Sequence, residues 1–378
     1  MITVSLCMIV KNEEEVIGRC LGSIADLVDE IIIMDTGSDD GTKAVVKKYT
    51  ENIFDFQWID DFAAARNAAF EKASMDYILW LDADDVLEEE DRKKFAALKE
   101  LLDPDVDSVT MEYHIGFDEY GNVAFRGRRN RLVKRAKKFR WIGAVHEYLE
   151  VSGNIYHSDV AVTHKSLRHD SDRNLKIYEK RLSRGEIFSP RDLYYYANEL
   201  MDHQQYERAV SIYEQFLATG KGWVEDNISS CGKLADCFHH LKDRERELES
   251  VLRSFGYDSP RAEFCCRLGY HFLQKGDIPS AIFWYKVATV LKPPKVQLGF
   301  YNSTFSTWLP YLQLCVCYSR IGEYKLAYLH NEAALQYRPD DQRMLQNRKY
   351  LKKLLGEDAE TGEKDTKTDE GKNIQPSI

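Results

Sequence analysis

The sequence predicts an α/β domain with a mostly parallel sheet, followed by an all-α domain of helical repeats. Three observations predict it. Apolar strand-like runs alternate with helical patterns in the amino-terminal part. From about Leu193 the pattern is helical alone. In that second part small residues recur at fixed offsets. The 378 residues suffice for two cores. The reading divides them into an α/β domain over 1–170, a helical linker over 171–192, repeats over 193–355 and a tail over 356–378. The tail lacks large apolar side chains until its last positions and is expected to be disordered.

The elements follow in order. Thr3–Val10 is a β-rich apolar run, and the next segment carries Val16, Ile17, Cys20, Leu21, Ile24 and Val28 at helical spacing. Glu30–Asp35 reads as a second buried strand. A short helix follows over Gly41–Thr50, with Ser38 or Asp39 as its expected N-cap. Asp55–Ile59 reads as a third strand, and Phe62–Ala73 as a helix capped by Asp60 or Asp61. Tyr77–Leu81 is the fourth strand. Such alternation implies helices on both faces of the sheet and a ligand site at the carboxyl ends of the strands. Three of those ends carry polar clusters: Lys11-Asn12-Glu13, Asp35–Thr42, and Asp82–Asp85.

The helical part repeats. Ala197, Ala235, Gly269 and Cys315 align, and Ala235 and Gly269 stand 34 residues apart, the period of a tetratricopeptide repeat. From Gly269 the unit continues through Phe272, Ala281, Tyr285, Ala288 and Pro293. From Cys315 it continues through Tyr318, Ala327, Asn331, Ala334 and Pro339. Ala197 brings Leu200, Ala209 and Tyr213. The Ala235 unit keeps Phe238 and Val251 but has Glu247 at a small-residue position. Small residues at these offsets let paired helices approach closely, and the large ones fill the space between them. Stacked pairs suit a peptide ligand or a homodimer interface.

Composition narrows the partners. A net charge of −10 argues against nucleic acid and membrane surfaces. No apolar run reaches the ~18 residues of a membrane span. Lys11, Asn12 and three glutamates interrupt the first apolar stretch, which therefore reads as strand and loop, not a signal peptide. The eight cysteines form no CxxC pair and read as reduced packing thiols of a cytoplasmic protein. Arg126–Arg140 holds nine basic residues and no acidic one. It reads as a solvated basic loop or a mobile lid, with Arg129, Arg131 and Arg135 as candidates to neutralise a diphosphate.

The carboxylates at the end of the fourth strand need an offset, because like charges at ~4 Å and an effective dielectric of 20 repel by up to ~4 kcal/mol. A divalent cation held by one or two carboxylates and substrate phosphates is one answer. A helix N-cap by Asp84 or Asp85 is the other.

The pattern "YILWLDADD" resembles the DxD of nucleotide-sugar-dependent glycosyltransferases with a GT-A fold. With "CMIVKNEE", "IIIMDTGSDDGT" and "DFAAARNAAFEKA" it is similar in order and spacing to glycosyltransferase family 2. "RWIGAVHEYL" and "VAVTHKS" resemble the branch holding the sublancin-type peptide S-glycosyltransferases and lipopolysaccharide-core glucosyltransferases. The former also carry a tetratricopeptide-like domain.

That resemblance implies an inverting, metal-dependent hexosyltransferase using a UDP-sugar and Mg²⁺ or Mn²⁺. Glucose is the expected hexose, and a Cys or Ser of a peptide or protein the expected acceptor. A lipid-linked or cell-surface glycan is the alternative acceptor. An inactive tetratricopeptide adaptor is the alternative of another class. Val10, Asn12 and Glu13 are expected around the nucleotide, and Asp35 at the uracil or ribose. Arg66, with Asn67 beside it, is expected at the diphosphate or Asp82. Asp82 holds the ribose or a metal-bound water, and Asp84 the metal. Asp85 is a helix cap or a support for the ligands. Glu147 is the first choice of base, with His146 its rival, and His164 completes the metal shell.

Overall fold

The computed structural model describes residues 1–167, 171–292 and 299–356. Pro293 and the tail, expected to be disordered from 356, lie outside them apart from Gly356 itself. The chain forms two compact units. One holds Met1–Phe117, Phe125–Gly222 and residues 299–301; the other holds Asp118–Ala124 and the chain from Trp223 on, joined again from Asn302.

In the first unit, β1 (Val4–Val10) pairs in parallel with β2 (Glu30–Asp35) and β4 (Tyr77–Trp80), and β2 pairs in parallel with β3 (Ile53–Asp55). The sheet continues through β5 (Asp85–Val86), β6 (Ser108–Phe117), β7 (Val123–Lys134) and β10 (Ile155–His164), in the order β3-β2-β1-β4-β7-β6-β10-β5. The pairings β4–β7 and β10–β5 are antiparallel, and β10–β6 is parallel. A separate hairpin joins β8 (Arg140–Ile142) to β9 (Tyr148–Glu150). Alternate residues of β1 enter opposite cores. Leu6 and Met8 join Ile17, Leu21 and Phe95, while Cys7 joins Ala63, Ala69 and Trp80. This two-sided burial is why β1 and β4 are almost wholly apolar.

Helices α1 (Ile17–Gly22), α2 (Thr42–Val46), α3 (Phe62–Lys72) and α4 (Glu89–Leu101) fill the gaps. Asp61 caps α3 by accepting from Ala64 N at 2.9 Å. The start of α2 differs from expectation. Neither Ser38 nor Asp39 caps it; Asp40 Oδ1 accepts from Thr42 N and Oγ1, and the helix begins at Thr42. The third strand ends at Asp55, where it was expected to begin, so Trp58 lies in a loop. The basic segment is no loop or lid. Its first nine residues are the end of β7, paired to β4 in the middle of the sheet. Arg131 is fully buried, and Arg135 Nε donates to Met75 O.

Helices α5 (Ser171–Ser183), α6 (Pro190–Asp202) and α7 (Tyr206–Ala218) belong to the same unit. Ser189 and Asp192 close a reciprocal capping box at the start of α6. The second unit consists mainly of α8 (Val224–His240) to α14 (Gln342–Leu355). In order, α9 is Arg244–Arg253, α10 Ala262–Gln274, α11 Ile278–Val290, α12 Trp308–Arg320 and α13 Tyr324–Leu335. The repeat positions pack as expected. Ala281, Tyr285, Ala288, Cys315, Tyr318, Ala327, Asn331 and Ala334 are all buried. A Cβ on Gly269 would stand 2.8 Å from the Tyr285 ring, so a glycine is what admits that tyrosine. Gly276 and Gly322 share the inter-helix turn at φ 77° and 80°.

Candidate active site

The carboxyl ends of β1, β2 and β4 open onto a cleft of about 320 Å³. Its lining includes Glu13, Arg66, Asp82, Asp84, His146, Glu147 and His164. Trp58 and Phe62 form an aromatic wall, with ring centroids 4.8 Å apart.

Arg66 is the centre of the floor. Its helix buries it, and its guanidinium lies 5.1 and 4.8 Å from the Trp80 and Trp141 ring centroids. Nη2 donates to Asp82 Oδ1 at 2.7 Å, and Nε to Glu147 Oε1 at 2.5 Å. Burial alone would lower its pKa, but the two carboxylates more than reverse this. Burial likewise pushes Asp82 up, and the Arg66 and Arg131 cations bring it below the usual carboxylate range. The cation is permanently charged and fixed in direction.

Beside it, Asp84, Asp85 and His164 bring possible ligand atoms within 4.8 Å of one another. The three are not equivalent. Asp85 is fully buried; Oδ2 takes Arg131 Nη1 at 2.9 Å and Asp82 N at 3.0 Å, while Oδ1 takes the Tyr113 hydroxyl at 2.9 Å. It caps no helix, since α4 has Glu88 at its N-cap position. Asp84 and His164 line the cleft, with His164 Nδ1 3.3 Å from Asp84 Oδ1. Hydrogen bonds to Asp84 and Asp85 push the imidazole up to about 10. Burial and the nearby Asp84 charge push Glu13 up to about 7. Both shifts reflect the carboxylates gathered at this side of the cleft. The Asp84 carboxylate and the His164 imidazole, which now hold each other, lie beside an open space and fit a divalent ion that takes its other ligands from a substrate.

Residues 5–161 match the family model of Glycosyl transferase family 2. They are a family 2 glycosyltransferase domain. Of three similar chains, two carry a glycosyltransferase name. A TPR repeat-containing protein of Synechococcus elongatus is 51% identical over 23% of this chain and 22% of its own. The SPbeta prophage-derived glycosyltransferase SunS of Bacillus subtilis is 28% identical over 52% of this chain and 49% of its own. The lipopolysaccharide core biosynthesis glycosyltransferase LpsC of Rhizobium meliloti is 31% identical over 40% of this chain and 58% of its own. The chain therefore spans about half the length of SunS or less for the first relatives it matches.

Most of the expected residues converge, all but His164 from within the matched span. Val10, Glu13, Arg66, Asp82, Asp84, His146, Glu147 and His164 line one cleft. Two side chains are spent elsewhere. Asn12 Oδ1 accepts from Asp39 N, and its own N–H donates to Ser38 Oγ, so it fastens two loops together. Asn67 exchanges both amide contacts with the Trp141 backbone, at 2.9 and 3.0 Å, and holds the β8 hairpin instead of facing the cleft. Asp35 is 1% exposed. Oδ1 accepts from Gly37 N and Ser38 N at 2.8 Å each, and Oδ2 is buried without a partner among the described residues.

The sequence reading passed over Trp58, Phe62, Arg173 and Asn174, which also line the cleft. Arg173 lies over the Phe62 ring at 4.7 Å. It comes from α5, beyond the motifs, and no local pattern pointed to it.

Proposed function

We propose that this chain is an inverting, metal-dependent glycosyltransferase. It moves a hexose, glucose first among candidates, from a UDP-sugar to a cysteine or serine side chain of a peptide or protein. The observation that carries the reading is the Arg66 network, a buried guanidinium set between Asp82 and Glu147 on the floor of a cleft that also holds Asp84 and His164. A cation so fixed is preorganised for a leaving diphosphate. Asp35, expected at the uracil or ribose, is buried behind the lining and would serve the nucleotide by shaping the Asp35–Ser38 turn. Trp58 and Phe62 offer ring faces to the base or the sugar. Asp84 and His164 would hold Mg²⁺ or Mn²⁺, which when bound supplies positive charge beside the departing diphosphate.

In the transfer the acceptor's S–H or O–H attacks the anomeric carbon from the face opposite the nucleotide. The bond from that carbon to the diphosphate oxygen breaks, UDP leaves with the electron pair, and the acceptor's proton passes to a base. We assign the base to His146, because Glu147 Oε1 is committed to Arg66 at 2.5 Å. Glu147, the first choice from sequence, then serves to aim Arg66.

The resemblance of "RWIGAVHEYL" and "VAVTHKS" to the sublancin-type branch supports the peptide acceptor. The likeness to LpsC supports a second reading, transfer to a lipid-linked or cell-surface glycan. Among the described residues no helix is long and apolar enough to cross a membrane. A cytoplasmic location, a homodimer through the repeats and the absence of nucleic-acid partners complete the proposal. The test is a panel of UDP-sugars with Mg²⁺ or Mn²⁺, read as UDP release with and without candidate acceptors. We expect turnover with one donor and loss of it in Asp84→Ala with the fold retained. Full turnover in that variant overturns the metal role.

A further inference from the structure

One face of α6 is turned to His146. Arg191, Tyr195 and Glu199 stand four residues apart, so they lie along one stripe of the helix. Each holds a different part of the histidine. Arg191 Nε and Nη2 donate to the His146 carbonyl at 3.1 and 2.9 Å. The Tyr195 ring stacks on the imidazole, with centroids 4.3 Å apart and planes at 14°. Glu199 Oε1 lies 2.7 Å from Nε2. The backbone of His146 sits at φ 51°, a left-handed conformation a non-glycine residue adopts at a cost. Three contacts from one helix hold it there.

Glu199 is itself a buried acid, 7% exposed, with Asn174 Nδ2 donating to the same Oε1 at 3.0 Å. Burial pushes its carboxyl up, and the hydrogen bonds from His146 and Asn174 reverse this, leaving it below the usual range. It is therefore an anion. An ionised carboxylate only accepts, so Nε2 carries the proton and Nδ1 is left as the basic atom of the neutral ring.

We infer that Glu199 is the positioning residue of the base. From the first repeat helix it fixes His146 in the Nε2–H tautomer and in one orientation, so that Nδ1 is free to accept the acceptor's proton. This rests on the assignment of His146 as base. It makes α6 part of the active site, although by sequence it opens the repeat region.

The test uses the full chain with ¹⁵N-labelled histidine, under alkaline conditions where imidazoles are neutral, with the His146 signals assigned by their loss in His146→Gln. The wild type is expected to show protonated Nε2 and bare Nδ1 at His146; the opposite tautomer overturns the inference without any Glu199 variant. In Glu199→Gln, whose amide can donate to Nε2, the Nε2–H signature is expected to be lost. Turnover is expected to fall about 10²-fold with the donor KM unchanged, and Glu199→Asp to recover part of it. An unchanged signature and wild-type turnover in Glu199→Gln would overturn the inference. Wild-type turnover in His146→Gln would instead sink the base assignment, and the tautomer measurement would still decide the role of Glu199.

Discussion

The cleft end of the sheet and the paired helices of the second unit bury their interiors in different ways. Beneath the cleft the interior is ionic. Arg66 sits between Asp82 and Glu147, and Arg131 and Asp85 face each other with neither exposed at all. Between α10 and α11 the interior is a fit of small against large, with Gly269 against Tyr285 and Ala281 and Ala288 fully buried. Apolar fitting stabilises without direction. A buried ion pair is weak evidence of stability, but each partner is held in one place and one charge state. The difference teaches where the fold fixes direction as well as place: beneath the cleft, and not between the repeat helices.

The comparison breaks if Arg131 is dispensable. Arg131→Met leaves Asp85 buried without its guanidinium, held only by Asp82 N, the Tyr113 hydroxyl and His164, and is expected to cost about 3 kcal/mol in chemical denaturation. A cost below ~1 kcal/mol would mean the ionic interior is not tightly held. Next comes the apolar side. Gly269→Ala forces the Tyr285 ring to move and is expected to cost about 1–3 kcal/mol, with α6 and the cleft unaffected. A neutral result would show that the helix pair has room to relax.

A pH experiment sharpens the contrast. Glu13 has its folded pKa raised to about 7 by burial and Asp84. For an acid this means the folded state holds the proton more tightly than the unfolded one. Its contribution is favourable at low pH and is lost as pH rises from the ordinary carboxylate value through 7. Glu13→Gln is therefore expected to raise stability in chemical denaturation at pH 8 and not at pH 4, by on the order of 1 kcal/mol after screening. Equal effects at both pH values would contradict the crowding of charge at the cleft. The smallest effect belongs to the exposed pair Lys93–Glu90, where Lys93→Ala is expected to leave stability unchanged within the error of chemical denaturation.

The same contrast explains what could be read in the sequence. Gly269 and Tyr285 meet at a fixed offset that recurs along the chain, so the repeats were legible. The strand ends were legible too, because Asp35 and Asp82–Asp85 interrupt apolar runs. The partners of the charges were not. Arg66 meets Glu147, and His146 meets Glu199, across spans that no periodicity encodes. Arg126–Arg140 misled for a related reason. Charge density suggested a solvated loop or a mobile lid, but Arg131 is buried against an acid far away in sequence. Asn67 misled because its neighbour Arg66 drew it into the site, whereas Trp141 occupies its amide. The stripe Arg191, Tyr195, Glu199 has helical spacing but was not singled out from sequence. Nothing in it said that it faces a loop from the sheet.

The central claim is that this cleft takes a nucleoside-diphosphate sugar with an ion at Asp84 and His164. Calorimetric titration of UDP into the full chain, with and without Mn²⁺, tests it without knowledge of the acceptor. The account predicts binding that Mn²⁺ strengthens at least about 10-fold in the wild type, a gain of ~1.4 kcal/mol, and that Asp84→Ala does not show. Binding of equal strength with and without the ion, or the same Mn²⁺ dependence in Asp84→Ala, would contradict it.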